Sequence, residues 1–232
     1  MGKIVIVSDI HYEQGNFHGI DESKAINWIL NVLGKTSPTD LIGLGDWGYA
    51  WTSDDWEVIT SLVKVHTIFG NHDDVALLSN VKNADKSHIL ARDAEVRNIS
   101  GLKFGFINGI VTEKGGTNKG IPRNNPDQYL AMANKLKSVD FLCTHESPLM
   151  PDLWVKPVGP GPLTAQMAIE ITRPAISLSG HLHGRVITKQ IGKTMAIRID
   201  SSQAQRQFVT IETQKKMITI WLEDHLLQQL IF

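Results

Sequence analysis

Short runs of apolar and β-branched residues alternate with amphipathic segments in the first third of the chain, and this alternation constrains the fold more than any other feature. Residues 3–8, 41–44 and 65–69 predict buried strands. Residues 22–33 and 53–63 carry apolar side chains at helical spacing and lie between those strands. Strands that alternate with helices predict βαβ units and a parallel sheet.

A different pattern follows in the second half of the chain. Residues 95–99 and 102–107 flank a Ser100-Gly101 turn and predict a hairpin. The alternating segments between residues 186 and 222 predict an antiparallel meander. No linker separates the two halves, so we expect one domain over residues 1–232, with two packed sheets and helices outside them.

Two segments have no periodicity and are predicted to be loops. Residues 112–125 contain three glycines and are expected to be mobile, and residues 146–163 are rich in proline and glycine. Between them, Asn125 is placed to cap a helix that begins at Pro126.

Polar motifs follow the predicted strands at the points where the apolar runs stop. Because these strand ends can converge on one pocket, their carboxylate, carboxamide and imidazole groups together predict a site for divalent cations. A single Asp or His at a strand end is ordinarily a turn or capping residue, but five motifs in this order favour a metal site. The motifs are Asp9-Ile10-His11, Gly45-Asp46, Gly70-Asn71-His72-Asp73, His145 and Gly180-His181-Leu182-His183.

Composition excludes several other classes of protein. The formal net charge of −1 gives no basic surplus and argues against a nucleic-acid partner. Cys143 is the one cysteine, so no disulfide forms within the chain. No apolar run approaches the roughly 18 residues of a membrane span, and the N-terminus lacks the pattern of a signal peptide. We therefore expect a cytoplasmic protein without a membrane partner.

These five motifs resemble the pattern of the calcineurin-like metallophosphoesterase superfamily, which is Asp-x-His, Gly-Asp, Gly-Asn-His-Asp/Glu, His and Gly-His-x-His. Every ligand position of that pattern is matched in this chain. The resemblance implies an α/β fold, namely a four-layer α/β/β/α sandwich of two mixed β-sheets flanked by helices.

The resemblance also implies a division of ligands between two divalent metal ions, with Asp46 bridging both. Mn, Fe, Zn, Co and Ni are all compatible with ligands of this kind, and Mn is favoured; a structural zinc site is excluded because no ligand is a thiolate. Asp9, His11 and His183 would hold one ion, and Asn71, His145 and His181 would hold the other.

The implied reaction is hydrolysis of a phosphoester by hydroxide that the two metals generate and bridge. His72 is not a ligand in the family pattern, so it is the candidate acid for the leaving group or a donor to a phosphate oxygen. Asp73 is assigned with it as a catalytic residue, either to orient His72 or, equally, to cap the following helix.

The predicted substrate is a small phosphodiester such as a cyclic nucleotide. The same motifs occur in phosphomonoesterases and protein phosphatases, which stay open as alternatives. A third alternative is a protein-binding scaffold without activity, although relatives of that kind usually lose metal ligands and this chain has lost none.

Substrate contacts are predicted at two places. Trp47 belongs to an aromatic run, residues 47–51, that would stack a nucleobase, although core packing is the favoured explanation. Arg185 follows the last histidine motif and is placed to bind phosphate. The apolar C-terminal segment, residues 225–232, is expected to pack against its own domain, with a homodimer contact as the alternative.

Overall fold

A computed structural model describes residues 2–17, 19–151, 159–183 and 187–232. Its helices and strands, with one 3-10 turn at Glu22–Lys24, are as follows in chain order: β1 (Lys3–Val7), β2 (Asn16–Phe17), β3 (Ile20–Asp21), α1 (Ala25–Thr36), β4 (Asp40–Gly43), α2 (Ser53–Leu62), β5 (Lys64–Thr67), α3 (Val75–Asn80), β6 (Glu95–Ile99), β7 (Leu102–Ile107), β8 (Gly116–Asn118), β9 (Ile121–Arg123), α4 (Pro126–Lys135), β10 (Phe141–Thr144), α5 (Gly161–Thr172), β11 (Ile176–Ser179), β12 (Thr188–Ile191), β13 (Thr194–Arg198), β14 (Gln207–Glu212), β15 (Met217–Leu222) and β16 (His225–Ile231).

Two six-stranded sheets form the centre of the molecule. The first has the order β16-β15-β14-β1-β4-β5, in which β1, β4 and β5 are parallel and β14 runs antiparallel to β1. The second has the order β12-β13-β11-β10-β7-β6, in which the four central strands are parallel and the two edge strands are antiparallel. Both sheets are therefore mixed.

The burial pattern of each strand explains how the layers stack, since successive side chains of a strand point to opposite faces. In β1, Ile4 and Ile6 face the second sheet and pack in one cluster with Phe104 and Phe141. The alternate residues of β1 pack against α1 and α2 on the outer face. On the far side, β10 packs against α4 and α5. These three apolar layers confirm the predicted four-layer α/β/β/α sandwich.

Local signals placed two of the helices correctly. In α4, Asn125 accepts a hydrogen bond from Gln128 N while the Gln128 side chain accepts from Asn125 N, which is a capping box with Pro126 at the first position. In α2, Thr52 and Asp55 form the same reciprocal pair. Each pair satisfies backbone donors that the first helical turn leaves open.

Two segments differ from the prediction, and a third agrees with it. The 112–125 loop contains the β8–β9 hairpin, because Lys119 and Gly120 both adopt positive φ, 50° and 83°, and make a two-residue turn that suits paired strands. The helix α5 begins inside the expected loop at Gly161, since proline is tolerated in a first helical turn. The C-terminal segment is the edge strand β16, and Phe232 packs on the inter-sheet core, which confirms packing on its own chain.

Among the described residues, no helix combines the length and the apolar character that crossing a bilayer requires.

Candidate metal centre

The five motifs lie at the carboxyl ends of parallel strands from both sheets. Asp9 follows β1 and Asp46 follows β4 in the first sheet, while His145 follows β10 and His181 follows β11 in the second. The two sheets pack face to face, so the loops after these strands meet at one end of the sandwich. Ligands of open α/β sheets bind at this end for the same reason.

Two groups of side chains there are close enough to hold an ion each. Within each group, the candidate ligand atoms lie within 4.8 Å of one another. One group is Asp9, His11 and His183, and the other is Asp46, His145 and His181. This grouping follows from the distances between the side-chain atoms, and it agrees with the division that the family resemblance implies.

The Asp46 carboxylate belongs to the second group and also lies close to the first. Its Oδ2 is 3.9 Å from His11 Nε2, and its Oδ1 is 3.4 Å from His145 Nε2. The backbone N–H of His72 donates to Oδ1 at 2.7 Å and fixes the rotation of the carboxylate. One oxygen thus faces each group, as a bridging ligand requires.

Several candidate ligands have a backbone conformation that side chains rarely adopt. Asp9, His11, Asp46 and His181 have φ of 56°, 49°, 55° and 68°, in the left-handed region. Hydrogen bonds from Asp9 N to Gly45 O and from His11 N to Asp46 O hold the first two loops together. Local strain of this kind clusters at functional sites, where the surrounding structure imposes it.

Two glycines allow the loops to approach this closely. A Cβ on Gly70 would collide with Asp46 Oδ1 and with the imidazole of His145. A Cβ on Gly180 would collide with Asp9 Oδ2. Any side chain at either position would enter the space that the ligand atoms surround.

Charge in the site is arranged around Asp46. Burial alone would lower the pKa of His145, but the Asp46 carboxylate outweighs that effect and raises it. Burial would likewise raise the pKa of Asp46, but His145 holds it well below its usual range. His145 Nδ1 donates to the Leu44 carbonyl at 2.7 Å, so Nε2 faces the carboxylate. A cation that replaced the proton on Nε2 would gain the same electrostatic attraction.

Two of the candidate ligands, His11 and His181, favour the neutral form of the imidazole. Burial lowers the pKa of His11 to about 4 and that of His181 to about 3. A neutral imidazole offers a lone pair, and this is the form that binds metal.

The residues present fit a pair of divalent ions. Within the described part of the chain, Asn71 Oδ1 is buried and makes no hydrogen bond, as expected of an oxygen that serves as a ligand. The surrounding donors are carboxylate oxygens and imidazole nitrogens. Cys143 is buried in β10, and burial raises the pKa of its thiol, so it does not act as a thiolate ligand.

Sequence reasoning missed Asp200, whose Oδ2 lies 2.8 Å from His183 Nδ1. This hydrogen bond is the main reason that the pKa of His183 rises to about 9. Ser202 N donates to the other oxygen of Asp200 and fixes its orientation. Asp200 comes shortly after the apolar strand β13, which is the same signal that identified Asp9 and Asp46.

The structure corrects the catalytic role predicted for Asp73. Its carboxylate is buried and accepts backbone hydrogen bonds from Asp46, Trp47 and Gly70, at 2.6–2.8 Å. Asp74, rather than Asp73, caps the helix α3. Asp73 therefore holds the Gly45-Asp46 loop against the Gly70 loop and acts on the site through the backbone.

The structure also corrects the predicted substrate contact of Trp47. Its side chain is buried, and its indole N–H donates to Thr67 Oγ1 at 2.7 Å. The ring packs edge-on against Trp51 and Trp56 in the layer between the first sheet and the helices. Trp47 is therefore a core residue, as the favoured explanation predicted. Arg185, the other predicted substrate contact, lies outside the described residues.

Replacing Trp47 with phenylalanine is expected to lower stability rather than substrate affinity. The change leaves a cavity and removes a buried hydrogen bond, which together cost about 1–3 kcal/mol of unfolding free energy. Urea unfolding measures that loss. A rise in KM without a loss of stability would restore Trp47 as a substrate contact.

Two partly exposed rings, those of His72 and Tyr49, lie on the solvent-facing side of the centre, which we call the open side. The His72 ring is 5.4 Å from the His11 ring and is half-buried. Tyr49 lies beyond it, with its ring 6.3 Å from that of His72. His72 is thus adjacent to the candidate ligand His11 and partly exposed to solvent.

Solved structures with the same architecture include three of known source. The protein TT1561 of Thermus thermophilus superposes with a TM-score of 0.67 at 12% identity, over 96% of this chain and 99% of that one. Purple acid phosphatase PPD1 from yellow lupin seeds gives 0.56 at 15% identity, over 98% of this chain and 52% of that one. Vacuolar Protein Sorting 29 from Cryptosporidium parvum gives 0.53 at 12% identity, over 100% of this chain and 99% of that one. At these identities the similarity shows the fold alone.

Sequence comparison is more specific about the family. No curated protein matches this chain in sequence. The family model described as calcineurin-like phosphoesterase matches residues 2–185, a range that includes all five motifs. The chain therefore belongs to the calcineurin-like phosphoesterase family.

Proposed function

We propose that this chain is a phosphoesterase that uses two divalent metal ions. The observation that carries the proposal is the pair of ligand groups, each with its ligand atoms within 4.8 Å of one another, together with the Asp46 carboxylate that faces a histidine of both. Asp9, His11 and His183 would hold one ion, Asn71, His145 and His181 the other, and Asp46 both. The mixed set of imidazole, carboxylate and carboxamide donors suits Mn, Fe, Zn, Co or Ni, and Mn²⁺ is the ion that we propose.

The bound ions, Asp46 and His72 have different roles in the proposed reaction. The bound ions would supply Lewis acidity toward the phosphoryl oxygens and would lower the pKa of water. Asp46, which accepts a hydrogen bond from His72 N, would be a ligand of both ions and so set the distance between their sites. The His72 side chain, half-buried at the open side, would donate a proton to the leaving oxygen or a hydrogen bond to the phosphoryl group.

The proposed substrate is a small phosphodiester such as a cyclic nucleotide. The near-neutral net charge of −1 supports a small substrate over a nucleic acid. A phosphomonoester or a phosphoprotein would use the same metal ligands, so a direct comparison of esters must decide between them. We propose that residues 1–232 act as one domain, since β14, late in the chain, pairs with β1.

The test compares bis(p-nitrophenyl) phosphate with p-nitrophenyl phosphate after chelation and readdition of Mn²⁺. We expect a Mn²⁺-dependent rate that is higher on the diester. A higher monoester rate would identify a phosphatase. Metal binding without hydrolysis of either ester, or of a wider panel, would instead favour a scaffold, a use of this fold in which binding a partner replaces catalysis.

Replacing Asp200 with asparagine is expected to weaken metal binding about 10- to 100-fold, because the His183 imidazole loses its charged partner. Titration calorimetry with Mn²⁺ measures the effect. Asp224→Asn, at an exposed carboxylate paired with Lys35, is the control. Unchanged Mn²⁺ affinity in Asp200→Asn would show that Asp200 only stabilises the loop.

A further inference from the structure

A cavity of about 590 Å³ opens at Tyr49, whose ring lies 6.3 Å from that of His72. Its walls come from the loop after β1 and from the loop between β4 and α2, which are the loops that carry His11 and Asp46. The lining residues are Glu13, Gln14, Asn16, Tyr49, Ala50, Trp51 and Thr52. The cavity is therefore built by extensions of the catalytic loops themselves.

Tyr49 connects this cavity to the centre. Its side chain is 47% exposed, so about half of its surface is accessible to a ligand. The ring lies 6.3 Å from His72, which in turn lies 5.4 Å from His11. A substrate whose phosphorus lay at the metal centre would extend past His72 and reach the Tyr49 ring with its alcohol portion.

The backbone around Tyr49 is held firmly. Tyr49 N donates to Glu13 Oε1 at 3.2 Å, and Ala50 N donates to the Tyr12 carbonyl at 3.0 Å. Gly48 N donates to the His72 carbonyl, which ties the Tyr49 loop directly to the Gly70-Asn71-His72-Asp73 motif. The backbone that carries the ring is thus held in place, so a ligand need not order this loop when it binds.

The walls of the cavity favour a neutral ligand that can form hydrogen bonds. Among the lining residues that the structure describes, Glu13 carries the one formal charge, and Gln14 and Asn16 offer neutral donors and acceptors. A second phosphate or a carboxylate would be repelled by Glu13. A planar, uncharged ring with polar edges would stack on Tyr49 and bond to the neutral side chains.

We propose that this cavity is the subsite for the alcohol portion of the substrate and that it takes a planar, uncharged heterocycle such as a nucleobase, stacked on Tyr49. The inference rests on the proposed phosphoesterase function and adds a binding residue to it. It also moves the aromatic contact from the buried Trp47 to the exposed Tyr49.

The test measures binding of adenosine and of ribose to the Mn²⁺-loaded protein by calorimetry. The wild type is expected to bind adenosine at least about tenfold more tightly than ribose. Tyr49→Ala should lose that preference, whereas Tyr49→Phe, which keeps a stacking face, should retain most of it. Val58→Ala, at an equally exposed residue on α2, is the control and should behave as the wild type.

Hydrolysis of bis(p-nitrophenyl) phosphate by the same wild-type sample separates this inference from the proposed function. An active enzyme that binds adenosine no better than ribose, or a Tyr49→Ala protein that keeps the preference, overturns the subsite and leaves the phosphoesterase intact. A protein that hydrolyses neither this diester nor p-nitrophenyl phosphate, yet binds adenosine in a way that depends on Tyr49, supports the binding site and overturns the phosphoesterase.

Discussion

Replacing Asp46 with asparagine is expected to lower kcat/KM at least about a thousandfold and to reduce the number of metal ions bound. The side chain keeps its shape, and an amide oxygen can still accept from His72 N. What it loses is the charge that faces both His11 and His145, at 3.9 and 3.4 Å. Two ion sites that share one carboxylate should both weaken when it is neutralised.

Asp85→Asn is the matched control for this prediction, since Asp85 is a carboxylate paired with Lys64 away from the site. It should leave metal content and hydrolysis as in the wild type. If Asp46→Asn kept two bound ions and a wild-type rate, Asp46 would not be the bridging ligand.

Replacing His72 with alanine is expected to preserve both metal ions and to lower kcat about 10²- to 10⁴-fold, the range typical of losing a general acid. We expect the ions to remain because the His72 ring is not one of the candidate ligands. The backbone N–H of His72 holds Asp46, and alanine retains that N–H, while the lost ring stands on the open side of the centre. Metal analysis and hydrolysis assays on one preparation measure both effects.

His88→Ala controls for removal of a histidine, because His88 is exposed and lies outside the motifs. A His72→Ala protein that lost an ion would show that His72 is a ligand. A protein that kept its full rate would remove His72 from the mechanism.

Much of the fold followed from periodicity. The strand boundaries at 95–99 and 102–107 agree with the structure residue for residue, because strands of alternating or continuous apolar residues end abruptly at polar residues. The β8–β9 hairpin did not follow, since its turn depends on a lysine in a conformation that glycine usually supplies. Start points of helices such as α5 were also missed where proline and glycine looked like a loop.

The candidate ligands were predictable because each lies in a motif next to an apolar run. The residues that surround these ligands were harder to predict from the sequence. Asp73 belongs to the same motif as His72, yet its carboxylate accepts hydrogen bonds from the backbone N–H groups of three other residues. Trp47 is adjacent to Asp46, yet its side chain points into the helix layer. Asp200 is 17 residues from His183, and only the tertiary structure brings the two together.

The central claim is that two ions bind on either side of Asp46, and anomalous X-ray diffraction from crystals grown with Mn²⁺ tests it most directly. Two peaks are predicted, one among Asp9, His11 and His183 and the other among Asn71, His145 and His181. The Asp46 carboxylate should lie between them. A single peak, or peaks that leave either group of residues empty, would contradict the account.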